Sequence, residues 1–232
     1  MPLAITLLSY DCMPSHVIIP DLSPLLVAME ENLHGHVAYV QRRLAGMTVE
    51  DREDLLLTDS GLHSDTFNKI ARARLTQADA DRRIAEALGY FRNARRPFAW
   101  WVGPCSRPLD LERRLEEHGL RAAEFERGMA MELAQLPERP AAPADLSVRR
   151  VRDSGELADF AAVLADCVEP PDPAVIAFYR TAPPVLLRED CPMGLFVGYL
   201  NGKAAATSEL FAGGGVAGIH SVATRSVFRR RG

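Results

Sequence analysis

The feature that most limits how this chain can fold is the stretch "GLFVGYLNGKAAATSELFAGGGVAGIHSVAT", residues 194–224. Three runs rich in β-branched, aromatic and small apolar residues are separated by Asn201-Gly202 and by Gly213 to Gly215. Asn-Gly between two such runs is a strong hairpin signal, because both residues tolerate the positive φ angles of a type I′ turn. The glycine run supplies the next reversal. It carries no lysine and no following helix, so it reads as a turn and not as a phosphate-binding P-loop. Three consecutive antiparallel strands are expected, the last leading into "RSVFRRRG" at residues 225–232.

Upstream, residues 146–151 form a further expected strand, and Leu157, Phe160, Leu164 and Val168 trace one face of a helix around Glu156 to Cys167. A shorter helix is expected over Ala174 to Tyr179. The order is strand, two helices, then an antiparallel meander. Before it lies "PERPAAP", residues 137–143, whose three prolines among small and charged residues read as a linker.

The region ahead of the linker has a different character. Leu26, Met29, Leu33, Val37, Val40 and Leu44 recur at helical spacing. "DLLLTDSG" and "TFNKIARARL" read as strands, and Thr76 with Asp79 resembles a capping box ahead of a helix with an Ile84, Leu88, Phe91 stripe. "PFAWWVG" is a short strand, Pro108 opens a helix that closes at Gly119, and "LRAAEFERGMAMEL" is a final strand. The N-terminal "MPLAITLLSYDCMPSHVIIPDLSP" reads as a loose leader, with Met13 and Met29 as alternative starts. It lacks a basic n-region, and Asp11, Pro14, His16 and Pro20 break it short of a membrane span.

Lys and Arg total 27 against 31 Asp and Glu, a net charge of −4, which gives the molecule no general attraction to nucleic acid or anionic lipid. Basic function must be local, and Arg225, Arg229, Arg230 and Arg231 form the densest cluster. Cys12, Cys105, Cys167 and Cys191 are widely spaced with no CxxC pair, which points to free thiols and a cytoplasmic protein. "HGH" at residues 34–36 is a poor metal pair, because i, i+2 spacing turns two rings to different helix faces. No metal site is expected. Trp100 and Trp101 read as packing residues.

With these residues in place, the stretch from Leu146 onward resembles the GNAT (N-acetyltransferase) superfamily, whose members run a fourth strand into an Arg/Gln-x-x-Gly-x-Gly/Ala turn. Arg229 takes the Arg/Gln position and Gly232 the first glycine. "FNKIARARL", "PFAWWVGP" and "LERRLEEHGL" resemble the degenerate GNAT-like N-terminal half of a bacterial subset. The resemblance implies an α/β fold (α+β, mixed sheet) in tandem GNAT-like architecture. The domains would be a degenerate one over residues 1–136, a linker over 137–145, and the first half of an N-acetyltransferase domain over 146–232. Ser226 stands where many members carry proline, and Arg230 where glycine is usual. The expectation is of a C-terminally truncated enzyme that stops within the pyrophosphate turn.

The implied activity is acetyl transfer from acetyl-CoA to an amine, either a small molecule or a protein amino group, with no nucleic-acid or membrane partner. The sequence leaves the oligomeric state open. By position, the backbone of Val222, Ala223 and Thr224 would pair with the pantetheine arm. Arg229, Arg230, Arg231 and Gly232 would begin a pyrophosphate cradle. His220 is the first candidate base, since histidine titrates in the right range and related arylalkylamine enzymes use one at a comparable place on this strand. Four residues ahead of Thr224, it is expected on the same strand face. The alternative is a strand histidine satisfied by a backbone carbonyl. Glu209 is the second candidate base, the alternative being an exposed charge. Ser221 lacks the Gly-x-Ser-x-Gly surroundings of a nucleophile.

Two or three missing pyrophosphate donors, at roughly 1.5–3 kcal/mol each, would leave the 232-residue chain a weak acetyl-CoA binder with little activity. The enzyme reading is preferred; a second class of function, a non-catalytic acyl-CoA sensor or protein-interaction module on the same scaffold, is left open by a degenerate half.

Overall fold

The computed structural model describes residues 3–12, 24–136, 138, 143–168 and 172–230. The chain divides into two units, Met1–Pro137 and Glu138–Gly232. Most of the expected linker, residues 137 and 139–142, lies outside the described residues.

The first unit contains strands β1 (Leu3–Cys12), β2 (Thr48–Asp51), β3 (Leu56–Asp59), β4 (Lys69–Ala71), β5 (Ala99–Val102) and β6 (Leu120–Ala130). Its helices are α1 (Pro24–Tyr39), α2 (Ala80–Ala94) and α3 (Leu111–Glu117). The sheet order is β2-β3-β4-β5-β1-β6. The β2–β3 and β3–β4 pairs are antiparallel, and the remaining neighbours are parallel. Helices α2 and α3 make the crossovers that parallel strands require. The stripe anticipated on α2 is fully inward, with Ile84, Leu88 and Phe91 at most 1% exposed, and Phe91 stacks on Phe98 at 4.6 Å. Gly119 ends the α3 segment at φ +92°, where a side chain would be strained.

Successive residues of β5 serve opposite layers: Trp100 enters the large core with Ile5, Ile70, Phe91 and Leu120, and Trp101 packs with Ala71, Ala99, Leu33 and Val37 of α1. Both tryptophans are therefore packing residues, as expected.

The reading of the N-terminus as a loose leader is corrected here. Leu3–Cys12 is a ten-residue strand between β5 and β6, parallel to both. A strand covered on both faces needs a continuous apolar run with no alternation, and such a run also reads as a leader. Two other strands differ from expectation. The short β2 went unseen, because "TVED" carries no apolar face. "TFNKIARARL" yields only three strand residues, since Arg72 turns to φ +50°.

The second unit contains β7 (Leu146–Arg150), α4 (Ser154–Cys167), α5 (Pro173–Thr181), α6 (Pro183–Leu186), β8 (Met193–Leu200), β9 (Lys203–Gly213) and β10 (Val216–Thr224). The four strands form an antiparallel sheet in the order β10-β9-β8-β7. Asn201 (φ +51°) and Gly202 (φ +75°) make the hairpin as read. Asp153 caps α4 by accepting from the Glu156 N–H at 2.9 Å, and Asp172 caps α5 with Pro173 at its first turn. Leu157, Phe160, Val175, Phe178 and Tyr179 of the helices are buried, as are Leu195, Val197 and Phe211 of the sheet. The short α6 was not anticipated.

Both units are mixed α/β, with helices packed on twisted sheets. Among the described residues no helix is long and apolar enough to cross a membrane.

Candidate active site at the bulge in β10

Strand β9 alternates strictly over its middle, with Ala205, Thr207, Glu209 and Phe211 buried and Leu210 and Ala212 exposed. Two of the inward residues are polar, in a row otherwise apolar. Glu209 is 2% exposed, which corrects the alternative of an exposed strand charge.

His220 of β10 is the register partner of Glu209, and Ala223 is the partner of Thr207. Three steps along β10 therefore match two along β9. The extra residue is a β-bulge at Ser221–Val222. Its centre is Ser221, held at φ +51° in the left-handed region, where a non-glycine residue costs roughly 1–2 kcal/mol. The bulge also corrects an expectation: Thr224 pairs with Ala206 of the other face, so His220 and Thr224 do not share a side. The two-residue period resets wherever one residue is inserted.

Ser221 is tied on three sides. Its hydroxyl donates to Glu209 Oε2 at 3.0 Å, and its carbonyl accepts from Thr207 Oγ1 at 2.9 Å. It also shares a hydrogen bond with the phenol of Tyr179 on α5. Burial, and then the nearby charge of Glu209, push that phenol well above its ordinary pKa, against a smaller opposing effect of the Ser221 bond. Tyr179 thus keeps its proton at any physiological pH. His220, half-buried beside Glu209, completes a cluster of carboxylate, imidazole, hydroxyl and phenol.

The bulge and Tyr179 escaped the sequence reading. Tyr179 looks like one more member of an apolar helix stripe, and its signal is that a buried phenol needs a partner. For Glu209, the parity shared with Thr207 and Phe211 was the available clue.

Strand β10 is the last in the sheet order, so among the described residues its outer edge faces no strand. Val222, in the bulge, is 71% exposed and Ile219 66%. A bulge breaks the ladder locally and frees main-chain groups for another partner. Val222, Ala223 and Thr224, the residues expected to meet the cofactor arm, lie in and just after this bulge.

The arginines are less uniform than the sequence suggests. Arg225 is occupied: it donates to the Ala204 carbonyl at 2.7 Å and pairs with Asp166 at 2.7 Å. A 3-10 turn over Ser226–Phe228 follows. Arg229 Nε donates back to the Thr224 carbonyl at 2.9 Å, and Arg230 adopts φ +60°. Both are exposed. Arg231 and Gly232 lie outside the described residues.

Elsewhere, His34 is 6% exposed, and burial beside the charges of Arg72 and Arg74 lowers its pKa to about 4. It is a neutral core histidine. Among the described residues no group of three or more His, Cys, Asp or Glu could hold a metal ion.

Solved structures share this overall fold. The chain is similar to a GCN5-related N-acetyltransferase from Kribbella flavida, with TM-score 0.58 and 17% identity over 88% of this chain and 76% of that one. It is also similar to a functionally unknown conserved protein from Staphylococcus epidermidis, with TM-score 0.51 and 10% identity over 82% of this chain and 76% of that one. No protein-family model matches the sequence, and no curated protein matches it. The fold is that of the GCN5-related acetyltransferases.

Proposed function

We propose that this protein is an acetyl-CoA-dependent N-acetyltransferase whose acceptor is an amine of a small molecule or a protein. The observation that carries the reading is Glu209, a buried carboxylate bound to the hydroxyl of a strained serine at the bulge of an edge strand. Strained, buried polar clusters of this sort concentrate at functional sites.

When bound, acetyl-CoA supplies an acetyl group activated as a thioester. The backbone of β10 at Val222, Ala223 and Thr224 would hold the extended arm, and the exposed Arg229 and Arg230 would meet its phosphates. Glu209 and His220, opposite one another across the β9–β10 ladder, attract an incoming ammonium and take its proton, directly or through water. An amine with an ordinary pKa of about 10 needs that step before it can attack a carbonyl. Tyr179, protonated and linked to Ser221, returns a proton on the departing side. Proton withdrawal and proton supply thus sit on the two ends of one hydrogen-bonded chain.

The test is thiol release from acetyl-CoA over a panel of aliphatic, aromatic and peptide amines, with cofactor binding followed separately by calorimetry. Turnover on at least one amine, lost in Glu209→Gln with binding retained, is the expected result. Binding with no turnover on any amine would sink the reading.

A further inference from the structure

The first unit carries a cleft of about 300 Å³ between the β2–β3 hairpin and helix α2, lined by none of the groups assigned to acetyl transfer. Its floor is apolar: Leu55, Leu57 and Ala87, at most 6% exposed, belong to the large core. Register builds one wall. Glu50 of β2 is the partner of Leu57, and the Arg52 N–H donates to the Leu55 carbonyl at 3.0 Å. Glu50 and Arg52 thus stand beside the two leucines, and they pair with one another at 2.9 Å. Helix α2 supplies the opposite wall, where Glu86 Oε2 accepts from Arg83 at 2.6 Å.

Gly89, in the interior of α2, keeps the cleft open. Glycine is a poor helix former, and neither backbone nor packing demands it here: a Cβ built on it meets no atom within 4 Å. It leaves unfilled a space that a larger residue would take. The charges at the cleft are balanced, with Glu50 and Glu86 against Arg52 and Arg83. Such a wall suits a ligand that is itself balanced, with one cationic and one anionic end. The Glu50–Arg52 pair, 38% and 59% exposed, is of the kind that contributes little on its own and can open for a better partner. The volume lies at the small end of ligand sites, which run from about 300 to 1,000 Å³.

We propose that this cleft binds a free α-amino acid with an apolar side chain. The side chain lies on Leu55, Leu57 and Ala87 in the space that Gly89 leaves. The ammonium takes Glu50 and the carboxylate takes Arg52, so one exposed ion pair is exchanged for two. Each charge of the ligand is then matched, and no polar group enters the cleft without a partner. A phosphorylated ligand fits poorly, because its excess negative charge would face Glu50 and Glu86. All the residues belong to the first unit, and the inference stands independently of the acetyl-transfer reading.

The experiment titrates the full chain with L-leucine by calorimetry. In parallel it uses leucinamide, which lacks the carboxylate, isocaproate, which lacks the ammonium, and glycine, which lacks the side chain. L-Leucine should bind with a dissociation constant of about 1 mM or tighter, and each truncated ligand at least about 10-fold more weakly. Gly89→Leu fills the cleft with a better helix former, so it should abolish binding while its melting temperature stays at or above that of the wild type. Arg52→Gln, at an exposed position, should weaken L-leucine about 10-fold and leave leucinamide unchanged, and it carries the test if Gly89→Leu fails to fold. Absence of L-leucine binding overturns the proposal. So does a folded Gly89→Leu that binds like the wild type, since the ligand would then sit elsewhere. Leucinamide or isocaproate binding as tightly as L-leucine also overturns it, because the paired charges would have no part in recognition.

Discussion

Each unit buries a carboxylate on a central element, and the two are treated in opposite ways. In the first unit Asp59, 1% exposed, accepts from Arg96 at 2.7 and 3.2 Å, from the Tyr90 hydroxyl at 2.8 Å and from the Gly61 N–H at 2.8 Å. A guanidinium, a phenol and an amide satisfy its lone pairs, so its charge is locked. Elsewhere in that unit Arg83 grips Asp54 at 2.6 and 3.0 Å, and Arg114 links Asp110 and Asp81. In the second unit Glu209 lies among hydroxyls, and its cross-strand neighbour is a histidine. Locked charge holds a fold together, whereas charge beside exchangeable protons can do chemistry.

The largest effect expected from that contrast is on turnover. If Glu209 takes the proton, Glu209→Gln should lower kcat/KM on the best amine by roughly 10²–10⁴-fold, with acetyl-CoA affinity little changed. The matching change in the first unit, Asp59→Asn, should leave turnover alone and instead reduce stability by about 1–3 kcal/mol, because the hydrogen bonds of a buried carboxylate are lost while Arg96, 30% exposed, is left partly solvated. Urea unfolding checks it. Equal loss of activity in both variants would collapse the distinction between the units.

A third effect is a pH dependence confined to the first unit. His34 titrates near 6.5 in the unfolded chain and about 4 in the folded one. Between those values the unfolded state binds the extra proton, so stability rises with pH there and is lost as pH falls from about 6.5 toward 4. The full loss is on the order of 3 kcal/mol. Thermal melts from pH 7 to pH 4 should show it, and His34→Gln should flatten that part of the curve. A wild-type melting temperature that holds steady over this window would contradict a neutral, buried His34.

How legible each unit was in the sequence follows from the same difference. Local signals were easy to read: the α2 stripe and the Asn201-Gly202 hairpin appear where expected. Single insertions and doubly covered strands were not. Strand β1 looked like a leader because a buried parallel strand has no alternation to display. The bulge at Ser221 left no mark, because one extra residue changes neither composition nor apolar count. It nonetheless decides that Ala223, not Thr224, lies on the His220 face. Tyr179 was hidden by its own apolar surroundings. Candidates chosen by residue type, His220 and Glu209, turn out to be ladder neighbours, whereas the groups that connect them to a proton source required coordinates.

The smallest effect is the most discriminating, because it separates strain from hydrogen bonding at one atom. Ser221→Gly and Ser221→Ala both delete the hydroxyl that serves Glu209. Only glycine accepts φ +51° without penalty, so the glycine variant should be the more stable of the two by roughly 1 kcal/mol, a difference reduced by the greater freedom of glycine in the unfolded chain. Activity should not follow stability. If the hydroxyl matters because it orients Glu209 and connects it to Tyr179, both variants should lose a similar factor in kcat, whereas Ser221→Thr, which keeps the hydroxyl on a stiffer side chain, should retain more of it. Should glycine restore full activity while alanine does not, the bulge would be acting through backbone shape alone, and the proton chain from Tyr179 to Glu209 would have no part in catalysis.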